Sequence, residues 1–312
     1  MPPGPSFPPI LRATHRASVM STQIAVAAAV AGIGVYAWYL RGNNNSSSGN
    51  ASKPVFSSFG FHTLRLDSTE LVNHNTKKLR FALPDPKQPS GLGLTSALLT
   101  ISRPAGRWLP VIRPYTPVDD LNEPGYITLL VKHYPTGAQS THLHSLQPGD
   151  TLTFAPLKTF TWTPNQHAHV ALIAGGAGIT PMYQLARGIL TNPADRTRIT
   201  LVWGVNTEED VFLRGELDGL EREFGGRVRV VYVVAKPGSG AGGSGVGGGS
   251  GKRDRKRFVT REVLEGVGLG AKEEEDVKVL VCGPPAMEKA LKGKGTGVLA
   301  QLGYRPDQVH SF

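Results

Sequence analysis

Four consecutive residues, Arg113-Pro114-Tyr115-Thr116, set a cation, an aromatic face and a hydroxyl side by side, and Pro117 closes the run. Each proline fixes its own φ near about −65° and pushes the residue before it into extended geometry. Arg113 and Thr116 both precede a proline, and Tyr115 is caught between the two. The chain is therefore extended here and its three groups are pre-aimed. A ligand that needs charge, a flat surface and a hydrogen bond is one reading. A rigid turn at the edge of a sheet is the other, and the octapeptide Arg113 to Asp120 alone leaves both open.

Two glycine-rich stretches bear on the choice. In "AGGAGITP", Gly175, Gly176 and Gly178 let backbone N–H groups approach a phosphate. A helix capped by Thr180, with Pro181 in its first position, offers a positive end there. "CGPPAM", Cys282 to Met287, again leaves an apolar run for Gly and Pro. Neither is a GxGxxG fingerprint, and either alone also fits a tight strand-to-helix turn. Together, at the ends of two strands, they favour a bound phosphate ester. A third stretch, "WGVNTEEDVFLR" from Trp203 to Arg214, gathers Glu208, Glu209 and Asp210 at the start of a helix, where negative charge complements the dipole.

The elements around these motifs change character at "WTPNQ", Trp162 to Gln166, a plausible hinge. From Val55 to Trp162, short β-rich runs such as "YITLLVKHY" and "DTLTFAPL" predict a closed antiparallel barrel. Afterwards strands alternate with helices. "HVALIAGG", "RITLVWG", "RVRVVYVVA" and "VKVLVCG" read as strands. Met182, Leu185, Ala186, Ile189 and Leu190 recur at helical spacing, as do Leu213, Leu217, Leu220 and Phe224. This predicts a doubly wound α/β domain with a parallel sheet, whose ligands lie beyond the C-terminal ends of its strands.

The chain has 312 residues, enough for two full cores, and a net charge of +10. That charge is local. Five of the 34 basic residues precede the first acid, Asp67, and five more lie in "KRDRKR", Lys252 to Arg257, read as a solvated face. Outside these segments 24 basic residues meet 23 acidic ones, so no broad basic face serves nucleic acid. The single cysteine, Cys282, excludes an internal disulfide, and no metal-ligand spacing is present.

Residues 1–21 carry Arg12, His15 and Arg16 with no acid, which suits a mitochondrial presequence. "IAVAAAVAGIGVYAWYL", Ile24 to Leu40, is 17 residues without a charge and ends in Tyr36, Trp38 and Tyr39 before Arg41. At 1.5 Å per residue it reaches roughly 25 Å, the short end of a membrane span. A secretory signal peptide is the competing reading. The resulting order is a targeting segment (1–21), a transmembrane helix (22–41), a tether (42–54), the β domain (55–162) and the α/β domain (163–312) with a solvated Gly-rich loop at 237–251.

The "RPYT" run, the "GGAGITPM" and "CGPPAM" turns and a terminal aromatic, in this order from about Phe59 to Phe312, resemble the ferredoxin-reductase-like flavoenzymes. Within them the chain is most similar to the NADH–cytochrome b5 reductases, in their fungal, mitochondrial, membrane-anchored form. The resemblance implies that the barrel binds FAD and the α/β domain NADH. It implies that Arg113, beside Pro114, binds flavin phosphate, that Tyr115 packs on the isoalloxazine, and that Thr116 hydrogen-bonds near the reactive nitrogen. Val131, Lys132 and Tyr134 match the next flavin-contacting strand. Gly137, Ala138, Gln139 and Ser140 match a turn whose amides wrap the pyrophosphate, although Ala138 and Gln139 replace the usual Lys and Met.

On the other domain, Gly175, Gly176 and Gly178 match the phosphate turn, and Thr180 and Pro181 the pair between flavin and nicotinamide. Cys282, Gly283, Pro284 and Met287 match the turn bordering the hydride path, and Phe312 the terminal aromatic. Asp210 matches the carboxylate facing the 2′ position of the adenosine ribose. Thr116, Thr180 and Cys282 thus stand nearest the chemistry. Asp119 departs from the usual Ser or Thr and is expected to point away from the flavin phosphate. His133, His142 and His144 are read as structural.

The implied activity is hydride transfer from NADH to FAD, then single electrons to cytochrome b5 or a similar haem protein. A quinone or another one-electron acceptor is the alternative, and an anchored scaffold without cofactor a third reading. The implied place is the mitochondrial outer membrane, with the endoplasmic reticulum as alternative.

Overall fold

The structure is a computed structural model, described for residues 53–57, 60–121, 123–235, 259–270, 276–293 and 295–312. The presequence-like segment, the apolar Ile24–Leu40 run, the Gly-rich loop and the KRDRKR cluster lie outside the described residues. Among those residues, no helix is long and apolar enough to cross a membrane.

The first sheet is built from β1 (His62–Asn73), β2 (Thr76–Ala82), β3 (Ala97–Ser102), β4 (Val111–Tyr115), β5 (Tyr126–Lys132) and β6 (Thr151–Leu157). All its pairings are antiparallel, in the order β4-β3-β6-β1-β2-β5. Alternation buries one face: in β2, Leu79 and Phe81 are inside while Lys78 and Arg80 face out. Phe81 meets Phe154 edge-on, with ring centroids 5.0 Å apart.

The expected closed barrel is an open ladder, because no strand pairing joins β4 to β5 among the described residues. Two other devices curl the edges together. Beyond β4, Val118 N–H donates to the Thr128 carbonyl (3.0 Å), and Thr128 N–H donates to the Asp119 carboxylate. A helix, α1 (Ala138–Ser145), then packs against both edge strands. Lys77 Nζ, donating to the carbonyls of His144 (3.0 Å) and Leu146 (2.9 Å), satisfies its C-terminal end.

The second sheet is parallel, in the order β11-β10-β7-β8-β9. Its strands are β7 (His169–Gly175), β8 (Arg198–Val205), β9 (Val228–Val234), β10 (Val277–Cys282) and β11 (Val309–Ser311). Every residue of β7 is buried, as a central strand covered on both faces must be. Leu172, Leu201 and Trp203 pack under α2 (Ile179–Thr191) and α3 (Arg214–Glu223). Ile173, Val202 and Val279 face the other layer, made by α4 (Arg261–Gly266), α5 (Pro285–Lys292) and α6 (Val298–Gln301). The five apolar residues read along α2 all enter the core, as do Leu213 and Leu217.

The segment expected as a hinge at Trp162 is packed against the second domain. Trp162 is buried, and its indole N–H donates to Asp195 Oδ2 at 2.7 Å. Asn165, at φ 59°, donates its N–H to the same carboxylate (3.3 Å) and its amide to the Ala194 carbonyl (2.7 Å). Leu94 also inserts against α2, where a Cβ on Gly188 would stand 2.3 Å from its methyl. The two sheets are therefore held together on more than the connecting chain.

Candidate functional site

The chain runs from β7 to β8 to β9 on one side and returns to β10 on the other, so the strand order reverses between β7 and β10. Both glycine turns stand at the C-terminal ends of those two strands. They are one packed unit: a Cβ on Gly178 would lie 2.2 Å from the Cys282 carbonyl oxygen, and one on Gly175 2.6 Å from Met287 sulfur. Only glycine permits this approach. Gly176, at φ 52°, is the one residue of the turn in the left-handed region, and its carbonyl accepts the indole N–H of Trp203 (2.9 Å).

The expected cap on α2 is corrected. The turn is a short 3-10 segment, Gly176–Gly178, that feeds directly into the helix, so Gly178 is the N-cap and no side chain caps it. Thr180 lies inside the first turn, where its hydroxyl donates to the Ala177 carbonyl (3.2 Å). The Ile179 N–H is taken by the carbonyls of Gly176 and Ala177, so the helix start is held by the backbone of the turn and not by a side chain.

Across from this unit lies β5. Tyr134, just beyond it, is 42% exposed. The Ala177 backbone hydrogen-bonds its phenol, whose pKa is raised above the ordinary value, by burial first of all. Tyr115, on β4, is half-buried, and burial pushes its phenol up to about 12, so it stays neutral. Arg113 is exposed and donates Nη1 to the Ile112 carbonyl (2.8 Å). Thr116 is buried.

The stretch from Gly137, expected as a turn, is the start of α1. Gly137 is its N-cap, again without a side-chain cap. Gln139 turns inward: Ser102 Oγ donates to its Oε1 (2.7 Å), and its Nε2 donates to Thr100 Oγ1 (2.8 Å). Thr100 in turn donates to the Arg113 carbonyl (3.1 Å). Gln139 can therefore offer a ligand only its backbone, but it fixes the helix start beside Arg113. Asp119, held by Thr128, has its carboxyl pushed up by burial.

Asp210 is the largest departure from the sequence reading. Glu208–Asp210 form a separate 3-10 turn, and α3 begins only at Arg214, so these acids do not cap it. Glu208 pairs with Arg214 at 2.6 Å. Asp210 is 4% exposed and accepts from Lys132 Nζ (2.6 Å), Asn75 Nδ2 (2.9 Å) and Thr207 N–H (3.2 Å). Burial pushes its carboxyl up, but the Lys132 and Asn75 hydrogen bonds and the Lys132 charge outweigh it and hold the pKa below the ordinary range. The carboxylate faces a lysine of the first sheet across the crevice, a partner the sequence reading did not see.

Cys282 is half-buried, and burial, helped by Glu288, pushes its thiol up to about 12. Its thiolate fraction at neutral pH then falls on the order of a thousandfold below that of an ordinary cysteine. A thiolate-selective disulfide reagent should accordingly label the native chain about a hundredfold more slowly than the denatured chain. Equal rates would show an ionised, reactive cysteine. Phe312 closes the same end of the sheet: its N–H donates to the Val281 carbonyl (3.2 Å) and its ring meets His310 edge-on.

Residues 63–162 match the oxidoreductase FAD-binding domain and residues 172–293 the oxidoreductase NAD-binding domain. NADH-cytochrome b5 reductase 2 of Pyricularia oryzae is 43% identical over 304 residues, 93% of this chain and 88% of its own length. The chain belongs to the NADH-cytochrome b5 reductase family. The reductase 2 of Emericella nidulans is 42% identical over 92% of this chain and 89% of its own. Among solved structures, the cytochrome b5 reductase domain of Ulva prolifera nitrate reductase aligns with a TM-score of 0.70 and 27% identity, over 84% of this chain and all of that one. Members of this family pair a flavin domain with a nicotinamide domain. The uncapped starts of α1 and α2, the exposed Arg113 and the glycine cradle fit two such diphosphate-bearing groups.

Proposed function

We propose that the chain is an NADH-dependent FAD oxidoreductase that reduces cytochrome b5. The observation that carries this reading is the interlocked pair of glycine turns at the switch point, facing Tyr134, which in turn neighbours Tyr115 of the Arg113–Thr116 run. When bound, FAD accepts the electron pair of an NADH hydride and releases electrons singly.

The chain's own residues supply position. Arg113, Pro114 and the backbone of Gly137 to Ser140 would hold the FAD diphosphate, Tyr115 would pack on the ring, and Thr116, Val131, Lys132 and Tyr134 would frame it. Gly175, Gly176 and Gly178 would take the NADH phosphates, with Asp210 toward the ribose. Thr180 and Pro181 would face Cys282, Gly283, Pro284 and Met287 across the nicotinamide, under Phe312. The Thr180 hydroxyl hydrogen is committed to Ala177, so Thr180 offers a carboxamide N–H an acceptor. The neutral Cys282 thiol borders the transfer path without placing a charge on it.

The acid-free segment 1–21 and the apolar Ile24–Leu40 run are the grounds for proposing a mitochondrial outer-membrane protein with a single N-terminal anchor. The division into 1–21, 22–41, 42–54, 55–162 and 163–312 belongs to the same proposal. The test is direct. The purified full chain should be yellow, release FAD on denaturation, and turn over faster with cytochrome b5 than with a quinone. A colourless chain, or one indifferent to cytochrome b5, overturns it.

A further inference from the structure

Gln184 is a polar residue at the heart of an apolar helix face. It lies on α2 one turn after Thr180, is 3% exposed, and has both ends of its amide engaged by the other domain. Its Oε1 accepts the N–H of Thr95 at 2.5 Å, and its Nε2 donates to the carbonyl of Pro117 at 2.7 Å. The chemistry fixes the amide's orientation, since one partner is a donor and the other an acceptor. Pro117 directly follows Thr116, so a single side chain ties the end of the Arg113–Thr116 run to the helix that begins at the glycine turn.

The Thr95 side of the contact is built to stay in place. Thr95 is wholly buried at φ 65°, a left-handed conformation that β-branched residues rarely adopt. Its hydroxyl donates to the Phe160 carbonyl, and its own carbonyl accepts from Thr159 Oγ1 at 2.6 Å. Such a backbone persists only where its surroundings over-determine it. A buried amide satisfied at both ends between two rigid partners specifies one geometry, which an apolar side chain of equal size would not.

We infer that Gln184 is a positioning residue: it sets the distance and angle between the strand end at Thr116 and the first turn of α2 at Thr180 and Pro181. This rests on the reading that the flavin lies against the first and the nicotinamide against the second. The Gln184 amide is engaged by Thr95 and Pro117. It acts by holding the two domains in one relative setting, and hydride transfer is sensitive to that setting because misplacement by about 1 Å can cost on the order of a hundredfold in rate.

The experiment uses the FAD-loaded full chain with Gln184→Met, which keeps the volume and loses both hydrogen bonds. Gln184→Glu, which keeps the acceptor for Thr95 and loses the donor to Pro117, runs beside it. Flavin reduction at saturating NADH is followed by stopped flow, with the long-wavelength charge-transfer absorbance of the reduced flavin–nicotinamide complex as a readout of stacking. The expected result is a fall of about tenfold or more in the reduction rate constant for both variants, a weakened charge-transfer band, and an NADH dissociation constant changed less than about threefold.

A melting temperature that falls while FAD-loaded protein is reduced at the parent rate would overturn the inference and leave Gln184 a packing residue. If Gln184→Met does not fold, the parent rate in Gln184→Glu overturns it equally. Arg113→Ala, assayed in parallel, separates the two levels. Full FAD retention in that variant would refute the flavin placement itself, whereas FAD loss there with unchanged Gln184 variants refutes only the positioning role.

Discussion

Asp210→Ser should lower the melting temperature of the chain by about 10 °C and shift its coenzyme preference toward NADPH by at least about tenfold. The first effect follows from burial. Asp210 and Lys132 are 5% and 8% exposed at the side chain and 2.6 Å apart. Removing one member of such a pair leaves the other charge uncompensated, at a cost of about 3–5 kcal/mol, and each kcal/mol moves the midpoint of a chain this size by roughly 2–4 °C. The variant should therefore lose NADH activity as well as stability.

The shift in preference has an electrostatic origin. With Asp210 gone, the Lys132 ammonium faces the end of β8 without its partner and favours a 2′-phosphate. One unit-charge pair at about 5 Å with an effective dielectric near 20 is worth roughly 3 kcal/mol. Acid provides an internal check. The folded-state pKa of Asp210 is held below its ordinary range, so its contribution is complete above that range and is lost as pH falls through the folded value. The gap in melting temperature between parent and variant should close on acidification. A kcat/KM ratio for NADH over NADPH that does not move would place the ribose away from Asp210.

What could be read from the sequence was whatever has a local period or a local constraint. The five apolar residues of α2 repeat every three or four positions because one helix face is buried, and the prolines around Tyr115 stiffen it wherever it lies. Lys132 and Asp210 are 78 residues apart, and nothing local in either segment signals a buried ion pair. Gln184 gives no signal in the sequence, because its two partners come from separate loops of the other domain. Helix α1, "AQSTHLHS", has a single buried leucine and no apolar stripe. It forms because Gln139 and Lys77 stitch its two ends to the sheet, which no window of sequence displays. The open ladder has a similar cause: closure comes through Asp119, Thr128 and α1 rather than through a sixth strand pairing.

Arg113→Ala isolates the flavin site more cleanly than any buried substitution. Arg113 is exposed on the edge strand β4, and among the described residues its side chain bonds to the carbonyl of its own neighbour. Its removal should change the stability of the cofactor-free chain by no more than about 0.5 kcal/mol, as for other surface positions. Bound FAD is another matter. A charge-assisted hydrogen bond contributes about 1.5–3 kcal/mol, so the FAD dissociation constant should rise roughly tenfold to a hundredfold. The protein should bleach on dilution and recover its colour and turnover when excess FAD is added. Arg113→Lys keeps the charge but loses the planar fork and should fall between parent and alanine. Tyr115→Ala should also weaken FAD, and with a perturbed flavin spectrum that Arg113→Ala lacks, because on the proposed placement Tyr115 packs on the ring while Arg113 meets the phosphate. If Arg113→Ala holds FAD as tightly as the parent, the phosphate is bound elsewhere and the amides at the start of α1 are left as its holders.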